Sequence, residues 1–320
     1  KGYQISQLDQ PIVGKGKFTI VMPNGDLRQI GITRAHLEED AGKSIHGLQA
    51  GLSGIDLNRA GTPLLEIVSE PELSSAEEAA HYFRRLHALV TYIEICDGNL
   101  SEGSMRCDAN VSVRRKGHSE LGERTEIKNI NSFKFVQRAI EYEISRQVEI
   151  LETGGSIERE TRLYDADRNE TRQMRGKELS ADYRYFPDPD LPTLNITQSL
   201  VESIRATLPE MPDAKSDRYI NELGLSNYDA HRLTSDHTIA QYFEKVVELS
   251  KNAKSSANWI LGPVFNALNN VDLETTKISL SEENLGVLIK RIDDGTISTK
   301  IAKDIFESIW SHGGAVDDLI

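Results

Sequence analysis

The spacing of apolar residues changes character near residue 192. Before it, short runs of alternating apolar and polar residues are broken by turns and by two stretches of helical period; after it, almost every segment repeats at helical period. The pattern predicts an α+β fold, with antiparallel sheet and helices first and an all-α region second. Between them, Phe186-Pro187-Asp188-Pro189-Asp190-Leu191-Pro192 can continue neither a helix nor a central strand and is expected to be a stiff linker.

Phe18 to Met22 and Leu27 to Ile32 flank Pro23-Asn24-Gly25-Asp26, where Asn-Gly suits the positive φ angles of a tight turn, so a hairpin is predicted. Ala79, Phe83, Leu86, Val90 and Ile93 form one helical stripe behind a Ser74-x-x-Glu77 capping box. A second helix is predicted from Phe133, Val136, Ile140, Ile144, Val148 and Leu151, with Asn131 or Ser132 as its cap and Gly154-Gly155 as its stop. Past the linker, helices are expected over Gln198 to Thr207, Asn227 to Thr234, Ile239 to Leu249, Ser256 to Asn269 and Glu282 to Asp293. Gly295 then opens a last unit whose face is Ile301, Ile305, Phe306 and Ile309.

Composition narrows the classes. The 320 residues, 38% hydrophobic and 27% charged, suffice for two or three globular domains. No run of about 18 apolar residues occurs, and Lys1-Gly2-Tyr3-Gln4 lacks the regions of a signal peptide, so no membrane contact is expected. The expected location is the cytoplasm. Cys96 and Cys107, without a Cys-x-x-Cys or a histidine at ligand spacing, argue against a disulfide framework or a zinc site and are expected to be small buried residues. A formal charge of −13 excludes wrapping nucleic acid over the whole surface. Any RNA contact must be a local patch, and Lys290, Arg291, Lys300 and Lys303 are the candidate cations, a solvated helix face being the plainer alternative.

Two candidate strands carry most of the chemistry. Over Arg106 to Arg114, Ala109, Val111 and Val113 alternate with Arg106, Asp108, Asn110 and Ser112; over Arg124 to Lys128, Thr125 and Ile127 alternate with Arg124, Glu126 and Lys128. If the two pair, one face gathers two carboxylates, an amide and several cations. Such a face can hold Mg²⁺ through Asp108 and Glu126, while Arg106 and Lys128 neutralise phosphoryl charge; the plainer reading is a solvated face laced with ion pairs. A second candidate is His36-Leu37-Glu38-Glu39-Asp40-Ala41-Gly42-Lys43, whose consecutive acids repel one another unless a cation or a basic surface neutralises them. Gly42-Lys43-Ser44 is no P-loop, because Leu37 stands where the first glycine is required. Asn58 and Arg59 lie in a polar turn feeding the strand Leu64 to Val68, and His81 and His87 are expected to be solvated.

Several runs, in order, resemble one family: Tyr3-Gln4-Ile5-Ser6-Gln7, Leu37 to Lys43, Asp56-Leu57-Asn58-Arg59, Glu66-Ile67-Val68-Ser69-Glu70-Pro71, Glu102 to Asn110, Glu126-Ile127-Lys128-Asn129-Ile130-Asn131-Ser132-Phe133 and Asp182-Tyr183-Arg184-Tyr185-Phe186-Pro187. They are similar to the GatB family, the B subunit of the Asp/Glu-tRNA amidotransferase, along essentially the whole chain. The resemblance implies a cradle domain over 1–192, a helical domain over 193–277 and part of a small YqeY-like helical tail over 278–320. It also implies a family segment with a Glu-Val-His motif bearing metal ligands before Lys1 and a tail that continues past Ile320.

The activity so implied is that of a ligase forming carbon–nitrogen bonds with glutamine as amido donor. A partner amidase, GatA, releases ammonia, and GatC completes the heterotrimer. The GatB chain uses ATP and Mg²⁺ to phosphorylate the side-chain carboxylate of Glu-tRNA(Gln) or Asp-tRNA(Asn), which ammonia then amidates. Position by position, the resemblance implies Glu39, Asp108 and Glu126 as metal or nucleotide contacts, with Lys128 as a fourth catalytic residue and Glu38, Arg106, Arg59 and Asn129 around the cofactor. A noncatalytic tRNA-binding scaffold is the alternative.

Overall fold

The computed structural model describes residues 3–22, 26–49, 52–174, 184–185, 190–269, 278 and 280–320. The chain divides into two compact units, Lys1–Ile196 and Thr197–Ile320. Most of the proline linker, most of the Asp182–Pro187 motif and the Pro23–Gly25 turn tip lie outside the described residues, as does the expected boundary at 277.

In the first unit, β1 (Tyr3–Gln4) is followed by β2 (Gly16–Val21) and β3 (Leu27–Glu39), which pair antiparallel from Gly16↔Ile32 to Val21↔Leu27. The expected hairpin is therefore present. β4 (Lys43–Gln49) and β5 (Leu52–Asp56) form a ribbon of their own, and β6 (Pro63–Ser69) pairs antiparallel with the far half of β3. That pairing sets His36 opposite Glu66 and Glu39 opposite Pro63.

Helix α1 (Ala76–Tyr92) starts one residue later than expected: Ser75 accepts from the Glu78 amide, and the Glu78 carboxylate reaches back to the backbone and hydroxyl of Ser74. The box is shifted because Glu78, not Glu77, faces inward, where Arg28 also pairs with it. Next come β7 (Cys107–Val111), β8 (Thr125–Ile130), α2 (Phe133–Glu152), β9 (Glu160–Asp165), β10 (Glu170–Gln173) and the short β11 (Arg184–Tyr185), which pairs with β1. β10, β9, β8 and β7 make one sheet in that order. The expected antiparallel arrangement is interrupted in this sheet, since α2 carries the chain back so that β9 runs parallel to β8, and the short β1–β11 pair is parallel as well.

Helix α1 serves two cores. Tyr82, Leu86 and Val90 pack with Ile20 and Ile30 of the β2–β3 hairpin, whereas Phe83 joins Val111, Ile127, Ile130, Val136, Ile140 and Tyr164. Helix α2 is capped by Ser132 and stopped after Thr153, with Gly154 at positive φ, as expected. Its buried stripe is different: Val148 and Leu151 are exposed, and Glu143 and Gln147 are buried instead. The reversal has a physical cause, because Arg146 and Thr171 donate to Glu143 and the Gln147 amide donates to the Val111 carbonyl, so the carboxylate and the amide nitrogen have partners where apolar groups were expected.

The second unit comprises α3 (Gln198–Thr207), α4 (Pro212–Asn221), α5 (Asn227–Leu233), α6 (His237–Ser250), α7 (Ala253–Trp259), a π turn (Ile260–Val264), α8 (Phe265–Asn269), α9 (Glu282–Asp293) and α10 (Thr299–His312). Helix α4 has weak apolar periodicity and was not expected; Pro212 opens it at a position where a proline costs nothing. The single helix expected over Ser256 to Asn269 is broken by the π turn around Pro263, whose missing N–H cannot close an α-helical bond. One apolar core runs from Tyr219 through Phe243 and Trp259 to Leu288, Phe306 and Val316, so helices on both sides of residues 270–277 share it. Gly286 permits the approach of α9 to α6: a Cβ there would lie 2.6 Å from Leu249 Cβ. No helix among the described residues is long and apolar enough to cross a membrane.

Candidate functional site

The β7–β8 pair forms as expected. Ala109 faces Ile127, Asn110 faces Glu126 and Val111 faces Thr125; Thr125 and Ile127 are buried while Glu126 and Lys128 stay half-exposed on the opposite face. There the Lys128 ammonium lies 2.5 Å from Asp108 Oδ2 and 3.2 Å from Glu126 Oε1, and Thr161 donates to Glu126 Oε2 at 2.8 Å. Burial alone would lower the Lys128 pKa, but the two carboxylates outweigh it and hold the ammonium above its ordinary range. Asp108, Glu126 and Lys128 are thus gathered, with a lysine rather than open space between the acids.

Arg106 and Arg59 converge elsewhere. Arg106 donates to Asp40 Oδ2 at 2.7 Å, Arg59 Nε donates to the same oxygen at 2.8 Å, and Arg59 also donates to the Glu102 and Gly103 carbonyls. Burial works to raise the Asp40 pKa, yet the two guanidinium partners bring it below the usual carboxylate range. Asp40 was not among the expected site residues. The signal was there: an acid in a consecutive acidic run needs a basic partner, and Arg59 and Arg106 supply it. This triad ties the end of β3 to the residue preceding β7, joining the strand of His36 and Glu38 to the strand of Asp108.

His36, Glu38 and Glu66 form the one group among the described residues whose histidine and carboxylate ligand atoms all lie within 4.8 Å of one another. His36 is fully buried; its Nε2 is 3.0 Å from Glu38 Oε1 and 3.5 Å from Glu66 Oε2, and Arg34 Nε lies 3.4 Å from its Nδ1. Ser6 also donates to Glu38. Burial, then repulsion from Glu38, push the Glu66 carboxyl up, with His36 opposing. An imidazole and two carboxylates crowded together in this way match the donor set of a divalent cation. Holding one requires the His36 proton on Nδ1, leaving the Nε2 lone pair free, and the long Arg34 contact to Nδ1 then gives way.

None of the expected metal residues Glu39, Asp108 and Glu126 belongs to this group; Glu38, expected around the cofactor, does, while Glu39, on the alternate face of β3 and near Gly61, does not converge with Asp108 and Glu126 in a comparable cluster. His36 and Glu66 were missed; the spacing of two between His36 and Glu38 on a strand was the available sign. The Asn129 side chain donates to the Tyr164 carbonyl at 3.0 Å, which is a structural engagement rather than an open pocket position.

Other expectations need correcting. His87 is half-buried: its Nε2 lies 2.9 Å from the Gly98 carbonyl and its ring meets Phe133 edge-on. Cys107 packs among apolar residues, and burial pushes its thiol up to about 12; Cys96 is half-buried. In the second unit, Arg291 of the candidate basic patch is held by Asp317 and Asp294.

The family model described as GatB/GatE catalytic domain matches residues 1–202, and the one described as GatB domain matches residues 241–320. Over its whole length the chain is 58% identical to the B subunit of the aspartyl/glutamyl-tRNA(Asn/Gln) amidotransferase of Thioalkalivibrio sulfidiphilus, covering 67% of that protein. It is 56% identical to the protein of the same name from Alkalilimnicola ehrlichii and 55% identical to that from Hahella chejuensis, again covering 67% of each.

Proposed function

The chain belongs to the GatB family, and on that basis we propose that its first unit activates the side-chain carboxylate of Glu-tRNA(Gln) or Asp-tRNA(Asn) with ATP for amidation. The observation that supports this most is the presence of two charged clusters on two sheets tied together by ion pairs. One is the imidazole–dicarboxylate cluster of the buried His36 with Glu38 and the exposed Glu66; the other is the half-exposed Asp108–Lys128–Glu126 face, joined to it through Asp40, Arg59 and Arg106.

A divalent cation such as Mg²⁺ supplies charge neutralisation for the phosphates of ATP, and His36, Glu38 and Glu66 are the residues that would hold it. Phosphoryl transfer of this kind needs little covalent help from the protein; it needs in-line positioning and neutralised oxygens. Lys128 provides a fixed cation on the exposed face, oriented by Asp108 and Glu126, and Thr161 holds the second oxygen of Glu126. Arg106 retains exposed surface while Asp40 fixes its guanidinium, so it can meet an anionic oxygen without a search over rotamers. The substrate carboxylate attacks the γ-phosphorus, ADP leaves, and ammonia from a partner glutaminase then displaces phosphate from the acyl phosphate to give the amide. Assembly with GatA and GatC, and binding of the tRNA, belong to the same proposal.

The test uses Mn²⁺ as a spectroscopic stand-in. Wild-type chain should bind Mn²⁺, seen as loss of its free electron-resonance signal, and Mn²⁺ should tighten ATP binding; His36→Ala and Glu66→Gln should lose both. Binding that is unchanged in both variants would remove the cluster from the proposal.

A further inference from the structure

The β7–β8 ladder is irregular at one place. Pairing runs Val111↔Thr125, Asn110↔Glu126, Ala109↔Ile127, and then jumps to Cys107↔Ile130, so β8 spends one more residue than β7 over this stretch. The extra residue is Asn129, whose φ of 67° puts it in the left-handed region. A bulge with a left-handed residue at this position normally takes glycine, since side chains there crowd the following carbonyl; asparagine is the commonest substitute.

The bulge changes which side chains share a face. In a regular strand the buried series Thr125 and Ile127 would continue to residue 129. Here Ile130 is buried and Asn129 is exposed, so the alternation is reset. The reset ends the regular pairing beside Lys128 and Asp108, the two residues in closest charged contact on the polar face. The parallel ladder between β8 and β9 also stops there, at Lys128↔Leu163. The Tyr164 carbonyl just beyond it accepts from the Asn129 side-chain amide. Tyr164 itself is buried in the core, and its hydroxyl donates to Asn169. Asn129 is therefore both the left-handed residue of the bulge and the clip that ties it to β9.

We propose that Asn129 is a positioning residue: its left-handed backbone, clipped to the Tyr164 carbonyl, ends the ladder directly after Lys128 and so holds that residue where the regular register opposes it to Asp108. It acts through that pair and touches no nucleotide. The proposal rests on the reading of this face as the activating site.

Glycine and alanine at 129 separate the two roles, because both remove the amide but only glycine tolerates the backbone angle. Amidation by the assembled enzyme should be faster in Asn129→Gly than in Asn129→Ala by about tenfold, the cost of forcing a left-handed angle on alanine. The difference should lie in kcat, with KM for ATP similar in the two. In an Asp108→Asn background the two substitutions should give the same residual rate, since the pair they act through is already broken. Hydrogen exchange of residues 125–130 should rise in Asn129→Ala above Asn129→Gly. Equal losses in the two variants, expressed in KM for ATP, would overturn the proposal and make the Asn129 amide a ligand contact, while leaving the activating face in place. If Asp108→Asn alone leaves the rate unchanged, the activating-site reading falls first, and the positioning role falls with it.

Discussion

Glu143 is the one carboxylate of α2 with no exposed surface, and the polar network around it holds the sheet that carries Glu126 and Lys128. Its oxygens accept from Arg146, from the Gln147 amide at 2.9 Å and from Thr171 at 3.0 Å, while Arg162 lies 3.7 Å away. Arg146 and Gln147 also donate to Thr125, the residue before Glu126. Glu143→Gln keeps the shape and removes the charge. Breaking a buried ion pair on one side costs about 3–5 kcal/mol when the orphaned charge has nowhere to go. Here Arg146 and Arg162 remain 18% and 13% exposed and both keep Glu160, so the cost should be smaller. We expect about 2–3 kcal/mol, equivalent to roughly 30- to 150-fold in the opening equilibrium. Trp259 and Trp310 both lie in the second unit, so indole fluorescence would miss the effect. Hydrogen exchange of the Thr125–Ile130 amides reports it directly, and protection there should fall by that factor with the second unit unchanged. A fall of less than about threefold would show that the network contributes hydration-balanced charge and no net stability, as exposed pairs do.

Acid should weaken the first unit through the same group. Burial tends to raise the Glu143 pKa, but the Arg146 and Gln147 contacts outweigh it and hold the carboxyl below its unfolded value. Its contribution is therefore present above the unfolded value of about 4.3 and lost as pH falls through the lower folded one; protection of β8 should drop below about pH 4 in wild type and much less in Glu143→Gln. Gly286→Ala should destabilise the second unit by about 1–2 kcal/mol, overpacking against Leu249 exceeding the gain in helix propensity; urea unfolding followed by tryptophan fluorescence measures it, and a stabilised variant would show that α6 and α9 separate freely. Arg59→Lys should weaken amidation because a lysine cannot hold Asp40 and two carbonyls at once; steady-state rates with saturating ATP decide it, and an unchanged kcat would reduce the triad to surface packing.

Much of this was legible from residue spacing. The two-residue alternation in Arg106–Arg114 and Arg124–Lys128 placed Asp108, Glu126 and Lys128 on one face, and the stripe of α1 predicted its helix to within a residue of its cap. What spacing could not show was partner choice. Period two puts His36 and Glu38 on the same side of β3, but only the pairing of β3 with β6 brings Glu66 opposite. Asp40 stood in an acidic run whose neutralising arginines come from residues 59 and 106, far off in sequence. The buried face of α2 was misjudged for a related reason: Glu143 and Gln147 are polar by type and buried by virtue of contacts made from other strands. Asn129 enters the candidate site only through the family resemblance, and the bulge it forms, which shifts alternation by one, is invisible to a periodic pattern.

The activating role of the β7–β8 face is decided by amidation itself, with ammonium replacing the glutaminase step. The chain carrying Asp108→Ala or Glu126→Ala is assembled with GatA and GatC and given ATP, Mg²⁺ and mischarged Glu-tRNA(Gln), and Gln-tRNA is quantified. Both variants should assemble and bind tRNA yet form product at least about a hundredfold more slowly, in keeping with the loss of groups that stabilise transferring charge. Near-wild-type product from both would contradict that role and leave these acids as structural partners of Lys128.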